Sequence, residues 1–184
     1  MIVKKYLDNC FKAFNHPSAK NDWYYSNVYD FLLKEGLYFE SKALNKDELH
    51  QVEEMIDEFT KAFGKPQKKQ CYYNSQMVSL MNDSFQYIEG VCLSDIGLPM
   101  QHGFLLLNNK VIDLTWTNNK EEYIIGKHNR EYYGIPFLTA DVKRACLKTG
   151  MSHSHLEPYW NNGRLFKNKF VKNKPYLSFK TPLN

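Results

Sequence analysis

The stretch Gln101-His102-Gly103-Phe104-Leu105-Leu106-Leu107-Asn108-Asn109-Lys110-Val111-Ile112-Asp113-Leu114-Thr115 places apolar runs on either side of an Asn-Asn pair. Asparagine tolerates the left-handed backbone that two-residue hairpin loops need, so the spacing predicts strands over 101–107 and 110–115 joined by a tight turn. With a two-residue loop, Leu107 faces Lys110, Phe104 faces Asp113 and His102 faces Thr115. His102 and Asp113 are then diagonal neighbours on one face, about 7–8 Å apart at the backbone and within side-chain reach. A three-residue loop would put them on opposite faces. An imidazole with an orienting carboxylate is half of a catalytic apparatus; the alternative is a core histidine beside an unrelated turn aspartate.

Working outward, Phe85–Leu93 reads as a strand and Ser94–Pro99 as a loop, with Glu122–Gly126 and Tyr132–Phe137 as candidate edge strands, the latter limited by Pro136. Upstream the period becomes helical: Ile2 to Phe14, stopped by Asn15-His16-Pro17; about Asp22 to Lys34; and Leu49, Val52, Met55, Ile56, Phe59 and Phe63 ending at Gly64. Asn45 with Glu48 three residues on makes a capping box for that third helix. Leu37–Glu40 reads as a short strand, Cys71–Met81 as a helix ending at Asn82-Asp83, and Thr139–Lys148 as a last helix before Gly150. Helices, then an antiparallel meander, then one helix make an α+β domain rather than a parallel α/β sheet.

Cys71 opens its helix directly after a Lys-rich loop. Helix N-terminal N–H groups carry partial positive charge, which favours a thiolate placed there and offers donors to an oxyanion. A single cysteine is more often a small buried apolar residue. Beside His102 and Asp113, however, it completes a nucleophile, a base and an orienter.

Four ordered stretches, Cys71-Tyr72-Tyr73-Asn74-Ser75, Tyr87-Ile88-Glu89-Gly90, Leu98-Pro99-Met100-Gln101-His102-Gly103 and Lys110-Val111-Ile112-Asp113-Leu114-Thr115-Trp116, resemble the small papain-like or transglutaminase-like cysteine enzymes of phages and bacteria. The resemblance covers about a quarter of the chain. It implies a papain-like or transglutaminase-like build, with Cys71 as nucleophile, His102 as general base then acid, and Asp113 as orienter. Leu114 departs from the proline usual after the aspartate, and Phe104 stands where a Trp is common. Gln67 and Gln70 are candidates for the oxyanion-hole glutamine, although neither spacing matches well. Asn74, Tyr87 and Glu89 are candidates for shaping the pocket, and Trp116, like Trp160, for packing or a cleft wall. The expected function is a hydrolase of an amide, peptide or isopeptide bond acting on a peptide, a protein or a small amide. Amine transfer of the transglutaminase type, or cysteine chemistry on a small or nucleotide-linked defence metabolite, are alternatives.

Composition bounds this reading. The chain of 184 residues has 43% hydrophobic residues, enough for one cored domain. Its formal charge of +4 is uneven: residues 1–157 carry 18 basic and 20 acidic groups, while Arg164, Lys167, Lys169, Lys172, Lys174 and Lys180 follow with no acid. The expected organisation is a catalytic domain over 1–157 and a basic, aromatic-containing tail over 158–184. Phe166, Phe170, Tyr176 and Phe179 interleave its cations, so a module binding nucleic acid or an acidic protein is the non-enzymatic alternative. No apolar run reaches about 18 residues, so no membrane span is expected. Cys10, Cys71, Cys92 and Cys146 contain no C-x-x-C pair and read as thiols of a reducing cytoplasm, with Cys92 and Cys146 in the core. His153-x-His155 lacks a third ligand at metal spacing, and no cofactor motif occurs, so neither metal nor cofactor is expected. The ratio of 21 Lys to 3 Arg fits AT-rich coding, as in a phage or low-GC bacterium; phage origin would put the protein in the host cytoplasm.

Overall fold

A computed structural model describes residues 2–14, 25, 27–94, 96–116, 130–149 and 153–156. The expected strand at 122–126, Trp160 and the tail over 158–184 lie outside the described residues, as does the chain after 14 that the Asn-His-Pro stop concerns. The elements are α1 (Ile2–Phe14), α2 (Val28–Glu35), β1 (Leu37–Glu40), α3 (Lys46–Phe63), α4 (Cys71–Met81), β2 (Gln86–Leu93), β3 (Pro99–Leu107), β4 (Lys110–Ile112), β5 (Glu131–Pro136) and α5 (Thr139–Thr149). The fold is α+β. Among the described residues no helix is long and apolar enough to cross a membrane.

All strand pairs are antiparallel, and the sheet order is β1-β5-β2-β3-β4. A simple meander is therefore corrected: β5 inserts between β1 and β2. The expectation that Tyr132–Phe137 forms an edge strand fails for the same reason. Pro136 is tolerated inside because the Phe137 N–H donates to Tyr87 O on β2, so the nitrogen of Pro136 points to the other side. There β1 has already ended, its first residue Leu37 facing Gly134. The missing donor thus breaks no ladder bond. Helix α2 starts at Val28, where Asn27 accepts from the Asp30 N–H, rather than near residue 22.

Phe39 on β1 meets Phe104 on β3 with ring centroids 5.6 Å apart, and edge strands β1 and β4 also touch, so the sheet curls. Strand alternation gives the curl two chemically different faces. Ile88, Cys92, Phe104, Leu106, Val111 and Tyr132 form one apolar cluster with Phe39 and Trp116. The opposite face packs on the helices: Tyr87, Val91 and Ile135 against Val3, Leu7 and Phe31, and Leu105 and Ile112 against Val52, Met55 and Phe59. Both faces of β2 are buried, so its near-continuous apolar run is what that position requires. At Gly90 a Cβ would collide with the Tyr133 carbonyl and the Gly134 Cα, so only glycine allows β5 to approach β2 this closely.

Candidate active site

The hairpin that carries the site has the register its sequence predicts: Leu107 faces Lys110 and Leu105 faces Ile112. Asn108 and Asn109 have φ of 49° and 62°, the left-handed pair a two-residue turn demands. Strand β4, expected to run to Thr115, ends at Ile112. The cause is Asp113, whose Oδ1 accepts the N–H groups of Thr115 (3.0 Å) and Trp116 (3.1 Å) and so bends the chain out of the sheet. The other oxygen, Oδ2, lies 2.9 Å from His102 Nε2 and accepts from Tyr132 Oη at 2.9 Å. Two donors on each oxygen hold Asp113 in one orientation and favour its ionised form.

The nucleophile candidate is brought in by α4. Gly103 follows His102 on β3, and a Cβ there would meet the Tyr72 ring at 3.0 Å and Tyr87 at 3.2 Å, so glycine lets α4 lie close to the strand. The Ser75 hydroxyl donates to Gly103 O at 3.1 Å and pins that approach. Cys71, half-buried at the first position of α4, is close enough to His102 for its side chain to help raise the imidazole. Since Nε2 is engaged by Asp113, Nδ1 is the nitrogen left to exchange a proton with the thiol. Trp116 stacks on His102 with centroids 4.2 Å apart and an interplanar angle of 17°, walling one side of the imidazole.

Electrostatics follow from this packing. Burial alone disfavours a charged His102, but the Asp113 carboxylate and the Cys71 side chain outweigh it and lift the imidazole from 6.5 to about 9. Burial likewise opposes ionisation of Asp113, yet the His102 charge, the Thr115 N–H and the Tyr132 hydroxyl hold its carboxyl at about 2. At neutral pH the pair is an imidazolium against a carboxylate, shielded from water.

The other sequence candidates divide. Asn74 is fully buried; its amide donates to Gln67 O (2.9 Å) and Thr115 Oγ1 (3.1 Å) and its carbonyl accepts from the Gln67 N–H (3.3 Å). It ties the loop before Cys71 to the turn after Asp113. Gln67 thus serves through its backbone, and its side chain is exposed. Gln70 is also exposed and is the N-cap residue of α4, without a side-chain cap bond. Between the two exposed glutamines the loop passes through Lys69 in the left-handed region (φ 66°).

Tyr87 and Glu89 are corrected as pocket candidates. Glu89 faces Gly103 across β2–β3 whereas Gly90 faces His102, so alternation puts Glu89 on the face away from the imidazole. There Glu89 accepts from Tyr87 Oη (2.9 Å), the Ser154 hydroxyl and the N–H groups of His155 (2.8 Å) and Leu156 (3.2 Å). Gln76 from α4 donates to Tyr87 Oη and to His153 O. This cluster moors segment 153–156 to the sheet. Burial raises Glu89 to about 7 against those hydrogen bonds, and burial with the nearby His153 lowers His155 to about 4. Cys92 and Cys146 are buried, as expected. Among the described residues no three His, Cys, Asp or Glu side chains gather as metal ligands.

Sequence reasoning missed Tyr132 and the Oδ1 turn. Nothing local links residue 132 to 113; the link exists only once β5 is known to lie inside the sheet.

Compared with known proteins, the chain matches no family model, no curated protein and no solved structure.

Proposed function

We propose that this protein is a cysteine-dependent acyl-transfer enzyme of papain-like or transglutaminase-like build, which hydrolyses an amide, peptide or isopeptide bond through a Cys71 thioester. The observation that carries this reading is the continuous chain Cys71, His102, Asp113. A buried imidazole is fixed by Asp113 on Nε2, and its remaining nitrogen serves a half-buried thiol at a helix start. A core histidine has no need of that arrangement.

In the acylation step the Cys71 sulfur, its proton held by the His102 imidazolium, attacks the amide carbonyl carbon, forming the C–S bond. First-turn N–H groups of α4, not capped by the Gln70 side chain, supply donors to the oxyanion. The C–N bond breaks as His102 gives its proton to the leaving amine. Water then attacks the thioester carbonyl, passing a proton to His102; the C–S bond breaks, and the acid is released as the thiol is restored. Asp113 keeps the imidazole in the tautomer with hydrogen on Nε2 throughout.

The test is incubation of the protein with cell extract and intact-mass measurement. A mass increment on Cys71 that hydroxylamine removes, absent in Cys71→Ala, is expected; an unmodified Cys71 in an extract that supports the protein's biological effect would contradict the reading. Added primary amine that diverts the acyl group into an amide product would identify the amine as acceptor in place of water.

A further inference from the structure

Resting on the cysteine-enzyme reading, we infer that the substrate of this site carries an anionic group beside its scissile amide, received by the cationic rim formed by Lys68 and Lys69. Three observations converge. The two lysines are exposed and stand immediately before Gln70 and Cys71. Their loop is fixed rather than free: Asn74, fully buried, holds the Gln67 N–H and C=O, and Gln70 N–H bonds back to Gln67 O at 3.3 Å. Two exposed lysines therefore stand on a backbone of fixed course, two and three residues before Cys71.

A further cation stands against the indole that covers His102. The Arg130 guanidinium lies 5.2 Å over the Trp116 ring, the ring that stacks on His102, and its charge is felt by the buried Tyr132 hydroxyl next to Asp113. The buried Asp113 carboxylate, 2.9 Å from Nε2, balances the His102 charge, so the excess positive charge is that of the exposed lysines and of Arg130. No acidic residue occupies the first turn of α4. An approaching ligand meets positive potential from the loop, the helix start and the Trp116 side together, which concentrates anions at the sulfur and disfavours cationic amides.

The probe pair iodoacetate and iodoacetamide tests this, because the two reagents alkylate the same sulfur and differ by one negative charge. The readout is the ratio of their rate constants at Cys71, relative to the same ratio for glutathione. At low salt the ratio is expected to exceed that of glutathione by about fivefold or more, and to collapse toward it at about 0.5 M salt. The double variant Lys68→Gln with Lys69→Gln is expected to lower the ratio about fivefold. Lys46→Gln, at the far end of the 18-residue α3 and so about 27 Å along that helix, should leave it unchanged. A ratio equal to that of glutathione, or one that the double variant does not change, would overturn the inference while leaving the cysteine-enzyme reading intact. Failure of that reading looks different: Cys71 would then react with neutral iodoacetamide no faster than glutathione, and His102→Ala would not slow it. Protection of Cys71 against iodoacetamide by glutarate or by inorganic phosphate then tells which anion chemistry the rim takes. Protection by neither would also count against the inference.

Discussion

Among single residues Asp113 has the widest influence: its carboxylate, 2.9 Å from Nε2, raises the His102 imidazole. A stability contribution comes from each partner. Because His102 is raised from 6.5 to about 9, its share is full below pH 6.5 and is lost as pH rises through about 9. Asp113 is lowered from 3.8 to about 2, so its share is full above pH 3.8 and is lost as pH falls through about 2. Asp113→Asn should therefore move the alkaline limb of Cys71-dependent turnover downward from about pH 9 and cut the rate at least tenfold, with urea unfolding showing whether the fold survives. Turnover that keeps its limb near pH 9 in that variant would sever Asp113 from the chemistry. Tyr132→Phe removes one buried charge-assisted bond and should cost about 1.5–3 kcal/mol in urea titration. Cys71, His102 and Asp113 were legible in the sequence because each sits at a marked local position: a helix start, a strand face, a strand end. Tyr132 was not, since its partner is 19 residues away and is met only through the sheet order.

At the element scale, the hairpin and helix α3 were read correctly because their signals are local. Asn45 and Glu48 exchange both bonds of the capping box, and Glu48 also meets Lys110 of β4 at 2.6 Å, tying α3 to the triad hairpin. Asn45→Ala should lower stability by about 1 kcal/mol. The second turn residue, Asn109, has φ of 62°, where glycine carries no Cβ penalty, so Asn109→Gly should stabilise the protein by about 0.5 kcal/mol. A loss of stability in that variant would mean that the turn is held by its asparagine side chain. Strand β4 was read three residues too long, because an aspartate that folds back onto its own following N–H groups looks, in the sequence, like any residue at the end of an alternating run. The insertion of β5 was invisible for a different reason. Strand order is decided by which faces are left to bury, and a six-residue strand ending in proline carries no mark of its neighbours.

At the scale of the whole molecule, one curled sheet separates two buried polar systems. His102 and Asp113 lie with Trp116 and Tyr132 on one face, and Glu89 moors segment 153–156 on the other. Their pH signatures differ. Glu89 is raised from 4.5 to about 7, so its share of stability is present below pH 4.5 and lost as pH rises through about 7. The urea midpoint of the wild type should fall across that interval, and Glu89→Gln should abolish that part of the slope; an unchanged slope would mean that the mooring does not titrate. The charge imbalance seen in the sequence belongs to residues beyond those described, whereas Lys68 and Lys69 lie in the loop before Cys71. Activation of Cys71 by His102 is tested by alkylation with iodoacetamide at pH 6.5. Wild-type Cys71 should label at least tenfold faster than glutathione, and His102→Ala should bring it down to the glutathione rate. Equal rates in wild type, His102→Ala and glutathione would contradict the account.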